Sequence, residues 1–183
     1  MVAAGKRKAL IALVGGAVLV LTGCESATKG STAPDTPSVA AEVPTGFDPC
    51  TDIPQETLKS EGLRDPMPDD ASANGIKWDG CMWIQTDGYS AAIRTTNMTL
   101  DMIKDQGFPG TLEFETVGRS AIVSQQGKAQ VEASCNVNVE LIGGSLEFLL
   151  TNPPSRSKTG HLDTCELARN LVEKVAPNIP AGA

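Results

Sequence analysis

The stretch from Glu132 to Leu150 constrains the fold more than any other part of the chain. Ala133, Cys135, Val137, Val139 and Leu141 alternate with Glu132, Ser134, Asn136, Asn138 and Glu140. A period of two places the first set on one face of a β-strand and the second on the other. Gly143-Gly144 then turns the chain, and Leu146, Phe148 and Leu150 resume the apolar face. The expectation is a hairpin with one dry side and one polar side, and its dry side needs a covering layer.

The C-terminal segment supplies such a layer. A helix is expected from Thr164 to about Ala176, with Asp163 and Glu166 as a capping-box pair. It would align Cys165, Ala168, Leu171, Val172 and Val175 on one face. Upstream, Met82 to Thr86 and Tyr89 to Thr96 read as strands. Between them Asp87-Gly88 suits a two-residue turn, whose two positions both take positive φ. Thr99 should cap a short helix ending at Gly107, and Glu113 to Val117 and Ser120 to Ser124 read as further strands. Nearer the N-terminus, Thr51 or Asp52 can cap a short helix with Pro54 in its first turn, Leu58 facing inward and Gly62 as its stop. Arg64 to Gly80, rich in Asp, Pro and Gly, reads as a long surface loop. The fold class that follows is α+β: a single antiparallel sheet packed by an N-terminal and a C-terminal helix.

The N-terminus carries a different kind of information. Lys6-Arg7-Lys8 is followed by an apolar stretch from Ala9 to Leu21 and by Thr22, Gly23 and Cys24, the order of a secretory signal. The apolar stretch is about 13 residues, roughly 20 Å as a helix, against a hydrocarbon core of roughly 30 Å. Leu21-Thr22-Gly23-Cys24 resembles the lipobox of bacterial lipoproteins. This resemblance implies cleavage between Gly23 and Cys24 and a diacylglyceryl group on the Cys24 thiol. Two acyl chains supply the double signal that stable membrane anchoring requires.

Three segments are therefore expected: a signal peptide over 1–23, a lipid-anchored Ser/Thr/Ala/Pro-rich tether over 24–46, and an extracytoplasmic α+β domain over 47–183. The tether composition buries too little apolar surface to offset its chain entropy. Four cysteines are left once Cys24 is assigned to lipid: Cys50, Cys81, Cys135 and Cys165. An even set in an exported chain reads as two disulfides. Of the three pairings, Cys50 with Cys81 and Cys135 with Cys165 joins neighbours along the chain, and Cys165 on the inward face of its helix can reach Cys135 on the inward face of the sheet. A zinc site is disfavoured by the absence of any C-x-x-C spacing and the presence of a single His.

Charge narrows the partners. Removing residues 1–23 takes away Lys6, Arg7 and Lys8 and no acid, so the formal charge moves from −7 to −10. An acidic domain without a basic run interleaved with aromatics is a poor nucleic-acid binder. The expected partners are the membrane, through Cys24, and an envelope protein or a small apolar ligand. No cofactor or metal is expected.

Taken together, the lipobox, the tether, Asp48-Pro49-Cys50 opening a short helix, Gly80-Cys81-Met82-Trp83, a strand carrying Cys135, and Asp163-Thr164-Cys165-Glu166-Leu167-Ala168 opening the last helix resemble a family of small actinobacterial cell-envelope lipoproteins. It is grouped as domain of unknown function 3558, with members similar to the LprB and LprC lipoproteins. The resemblance implies the same disulfide pairing and a cell-envelope address, and it brings no catalytic residue.

Several residues invite a chemical reading. His161 is the one histidine, but it stands in a polar loop and no G-x-S-x-G frame accompanies it. Ser155 to Gly160 contains S-x-x-K and K-T-G, yet these overlap within one loop, whereas penicillin-binding enzymes bring them together from distant elements. Asp65, Asp69, Asp70 and Asp79 could hold calcium, but they lack the EF-hand spacing and read better as a solvated acidic loop. Asn97-Met98-Thr99 matches a glycosylation sequon in which Thr99 is better used as a cap. Trp78 and Trp83 flank Cys81, and a Trp packed on a disulfide is the simpler reading of them. No catalytic set emerges. The favoured function is a non-catalytic binding or interaction module, supported in its ligand-binding form by any apolar groove between sheet and helices. An envelope hydrolase and a structural accessory subunit are the alternatives.

Overall fold

The computed structural model describes residues 39–125 and 131–183. The signal segment, Gly23, Cys24 and the first part of the expected tether lie outside the described residues. Two short helices come first, α1 (Pro49–Asp52) and α2 (Gln55–Ser60), followed by β1 (Leu63–Pro68), β2 (Ala71–Ala73), β3 (Ile76–Gln85) and β4 (Ser90–Thr96). Helix α3 (Leu100–Asp105), strands β5 (Leu112–Thr116), β6 (Arg119–Ser124), β7 (Ser134–Leu141) and β8 (Gly144–Thr151), and helix α4 (Thr164–Val175) complete the order. The strands form one antiparallel sheet in the order β1-β3-β4-β8-β7-β6-β5, with β2 also paired to β3. The α+β expectation holds, with its single antiparallel sheet, terminal helix and two disulfides.

The dry face is the one read from alternation. Across the sheet Cys81, Ile93, Phe148, Val137 and Val123 lie in one register row. All five belong to a core that also takes in Phe47, Ile53 and Leu58 from the N-terminal side and Ala168, Leu171, Val172 and Val175 from α4. Burying each larger side chain contributes about 1.5–3 kcal/mol. Helix α4 starts where expected: the Asp163 carboxylate accepts from the Glu166 backbone N–H at 2.8 Å.

Several expectations change. Arg64 to Gly80 is not a loop: it holds most of β1, all of β2 and the first half of β3. Pro66 and Pro68 are tolerated because β1 is the outer strand, where a missing N–H breaks no ladder bond. The single helix expected over this stretch is two: α1 is capped by Asp48, whose carboxylate accepts from the Cys50 N–H at 2.8 Å, and contains Thr51 and Asp52, whereas α2, which buries Leu58, has Pro54 at its N-cap and no side-chain cap. The β3–β4 turn also differs. Gly88 N–H donates to the Gln85 carbonyl at 3.0 Å, so Thr86 and Asp87 form the turn, and of the Asp87-Gly88 pair only Asp87 has positive φ, 57°. Two-residue turns with both residues at positive φ are found elsewhere, at Asn74-Gly75 (52° and 82°) and Val117-Gly118 (46° and 76°).

The polar side of the central strands is also covered. Asn136, Asn138, Ser145 and Glu147 are buried, and α3 folds back over this face, where Leu100 and Ile103 pack on Ile122 beside Met98 and Phe108. Thr99 caps α3 as expected, its hydroxyl accepting from Met102 N–H at 3.3 Å.

Residues 39–46, expected within the tether, are held on the domain. Asn97 Nδ2 donates to the carbonyls of Ala40, at 2.7 Å, and Gly75, at 3.0 Å, while Asn97 Oδ1 accepts from Lys77 N–H at 2.8 Å. Lys77 also pairs with Glu42 at 2.7 Å. Asn97 is fully buried, so its amide is spent on structure and closed to glycosylation in the folded chain. Among the described residues no helix is long and apolar enough to cross a membrane.

Candidate functional site

A concavity with an apolar floor and a polar rim lies between α1, α2 and the β1 edge. It arises from an irregularity in pairing. Arg64 is opposite Ile84 and Met67 is opposite Met82, so Asp65 and Pro66 together face Trp83 alone. Such a bulge bends the outer strand away and opens space over the residue it faces. Asp65 takes a left-handed backbone, φ 54°, to make the bend. The resulting groove has a volume of about 390 Å³, within the range of small-ligand sites.

Leu63 and Trp83, both buried, belong to its lining, as do Ile53 and Leu58 from the N-terminal helices. Gln55, Lys59, Arg64 and Asp65 supply polar atoms around it. Cys50 stands at the wall, fixed to Cys81 by a disulfide with Cα atoms 5.4 Å apart. The disulfide therefore ties the helical wall to β3. Such a groove can bind an apolar body and orient a polar end; nothing in it resembles a nucleophile paired with a base.

The second disulfide, Cys135–Cys165, joins β7 to the first turn of α4, so both pairs are the expected ones. The two tryptophans part company. Trp83 shares the Cys81 face, whereas Trp78 lies on the opposite face, with its ring 5.7 Å from the Arg94 guanidinium carbon and its indole N–H donating to Glu147 at 3.2 Å. Arg94 pairs with Glu147 and, at 3.2 Å, with Asp69. This pair is buried and was not anticipated, although Arg94 and Glu147 each interrupt an otherwise uncharged strand.

The acidic residues of 65–79 do not converge. Asp65 borders the groove and Asp69 pairs with Arg94, whereas Asp70 and Asp79 share a hydrogen bond. Partial burial, then the hydrogen bond and charge of Asp70, and finally the charge of Asp48 raise the Asp79 carboxyl above its ordinary value. Tyr89 is likewise raised, by burial and then by Glu61, whose carboxylate also pairs with Lys174.

The Ser155–Gly160 loop is a structural closure. Thr159 Oγ1 donates to Asn152 Oδ1 at 2.7 Å, and Asn152 Nδ2 donates to the Thr159 carbonyl at 2.8 Å. Gly160 is required there because a Cβ would sit 2.6–2.7 Å from three backbone carbonyls. Ser155, Lys158 and His161 are exposed.

The model of the family described as "Protein of unknown function (DUF3558)" matches residues 19–178. The chain belongs to this family. No curated protein and no solved structure matches it.

Proposed function

We propose that this member of the family is a lipid-anchored, extracytoplasmic binding module of the cell envelope, without catalysis of its own, whose groove under the β1 bulge takes a small apolar ligand. The groove carries the reading: an apolar floor of Leu63 and Trp83 beside Ile53 and Leu58, with Lys59, Arg64 and Asp65 able to hold a polar end. The envelope address is supported by the basic, apolar, small-residue order of the leader and by a lipobox that falls within the family match. Two disulfides fit an oxidising compartment. The likeness to actinobacterial lipoproteins points the same way, with residues 1–23 as signal peptide and Cys24 as the modified residue.

Trp83 makes the reading testable. In Trp78→Phe protein the remaining indole lies in the groove, so long-chain fatty acids should change its emission in a saturable manner, and Leu58→Phe, which adds bulk to the groove without adding an indole, should weaken or abolish the response. Native mass spectrometry of protein released from its membrane should show a bound apolar molecule. An unchanging Trp83 emission and a ligand-free mass would remove ligand binding and leave interaction with another protein. Turnover of esters or peptidoglycan fragments would turn the assignment toward a hydrolase.

A further inference from the structure

Three hairpins turn at the end of the sheet where the N-terminal segment meets the domain: Asn74-Gly75 between β2 and β3 is polar, and the other two place an aliphatic side chain at the tip. Val117 precedes Gly118 between β5 and β6, and Ile142 precedes Gly143 between β7 and β8. Val117 is 57 % exposed and Ile142 is 73 % exposed. Val117 also holds a left-handed backbone, φ 46°, which a β-branched residue adopts only against steric resistance and which Asn or Gly would adopt freely. An aliphatic side chain is thus kept in an unfavourable conformation although more than half of it stays exposed. The turn at the opposite end, Thr86-Asp87, is polar.

The position of the anchor segment supplies the occupant. Ala40 is hydrogen-bonded to Asn97, just past the end of β4, and Pro44 lies against Gly144 at the start of β8. The chain therefore enters the domain at the end that carries the two tips. Between Cys24 and Val39 there are 15 steps of chain, which span at most about 50 Å. The nearby cations are already engaged: Lys104 by Asp101 and Glu113, and the Arg119 guanidinium by the backbone carbonyls of Glu140, Ala183 and Pro180. Asp101, Glu113 and Glu140 line the recess between the tips, so among the described residues no free basic patch faces the headgroups there and the two aliphatic tips are what this end offers for apolar contact.

We propose that Val117 and Ile142 are membrane-contact residues, seating this end of the sheet on the outer face of the bilayer that holds the Cys24 anchor. The inference rests on the anchored reading given above. The anchor confines the domain near the bilayer, so two side chains entering the headgroup layer suffice to fix its orientation without holding it there unaided.

The test uses the full lipidated protein in vesicles of phosphatidylcholine with a minority of phosphatidylglycerol, carrying an environment-sensitive fluorophore at Ile142→Cys or at Leu162→Cys, Leu162 lying at the opposite end, where its carbonyl accepts from Asn152 just past β8. A blue shift and quenching by spin-labelled lipid are expected at 142 and not at 162, with little dependence on salt. Val117→Asn relieves the strained turn and Ile142→Asp leaves the core untouched. In protein labelled at the other tip, each should lower the ratio of seated to free domain by about tenfold, the effect of losing one buried aliphatic side chain. A lipidated chain that sediments with vesicles while position 142 reports water overturns the seating alone. A shift at 142 that follows protein density in place of lipid contact also overturns it, in favour of tip-to-tip pairing of two copies. An unmodified Cys24 in a chain that stays in the supernatant overturns the anchor reading and this inference with it.

Discussion

The two faces of the sheet are built from the same strands and are buried by different physics. On one face the row from Cys81 to Val123 meets the N-terminal helices and α4 in a continuous apolar core. On the other, the neighbouring row runs Gly80, Arg94, Glu147, Asn138 and Ile122, and its middle is an ion pair and an amide under a thin cover. There Asn138 Nδ2 donates to Ser145 Oγ at 3.0 Å, and Ser145 Oγ donates to the Met98 carbonyl at 2.7 Å. The first face depends on shape and loses packing when a side chain is cut back; the second works only while each partner is present, since a buried charge left alone costs several kcal/mol.

Substitutions on the two faces should separate these mechanisms. Phe148→Ala, in the fully buried middle of the apolar row, should have the largest effect, about 3–5 kcal/mol in denaturant unfolding. Removing the Cys135–Cys165 link by replacing both cysteines with Ala should cost about 3–4 kcal/mol, the loop-closure entropy for a separation of 30 residues. Glu147→Gln should cost about 1–3 kcal/mol, because Arg94 keeps Asp69 but loses its buried carboxylate. The double change Arg94→Met with Glu147→Leu should recover most of that loss. If the double variant proves as unstable as Glu147→Gln, the second face depends on shape as the first does and the contrast fails.

The smallest effect is expected outside both rows, at Asp79. Its carboxyl is raised above the ordinary aspartate value, so the folded state holds that proton more tightly than the unfolded chain does. The stability it contributes is present below the ordinary value and is lost as pH rises through the raised one. Asp79→Asn should match the parent in acid and be slightly more stable at neutral pH, as read by thermal unfolding across pH.

The apolar face was legible because period-two alternation and the α4 stripe are local patterns. Thr99 and Asp163 were legible as caps for the same reason. The second face was not, because polar residues in alternation look identical whether water or α3 covers them. Strand β1 was hidden by Pro66 and Pro68, whose tolerance depends on its being an outer strand, a fact fixed by the whole sheet order. The groove was hidden with it: Asp65 and Pro66 open it only because the pairing with β3 slips there. Val117 was read as the end of a strand, since nothing in a Val-Gly pair announces a left-handed turn.

The Asn97 clamp and the Cys50–Cys81 bond also fix how tension applied at the N-terminal side would travel. The first bonds to carry load are those from Asn97 to Ala40 and from Lys77 to Glu42, so residues 39–46 would peel away before the sheet deforms. Beyond them, the pull reaches Cys50 and passes through its sulfur bridge into β3. Only the first residues of α1 carry that load; α2 and the groove are bypassed, and the force is received by a strand paired on both sides.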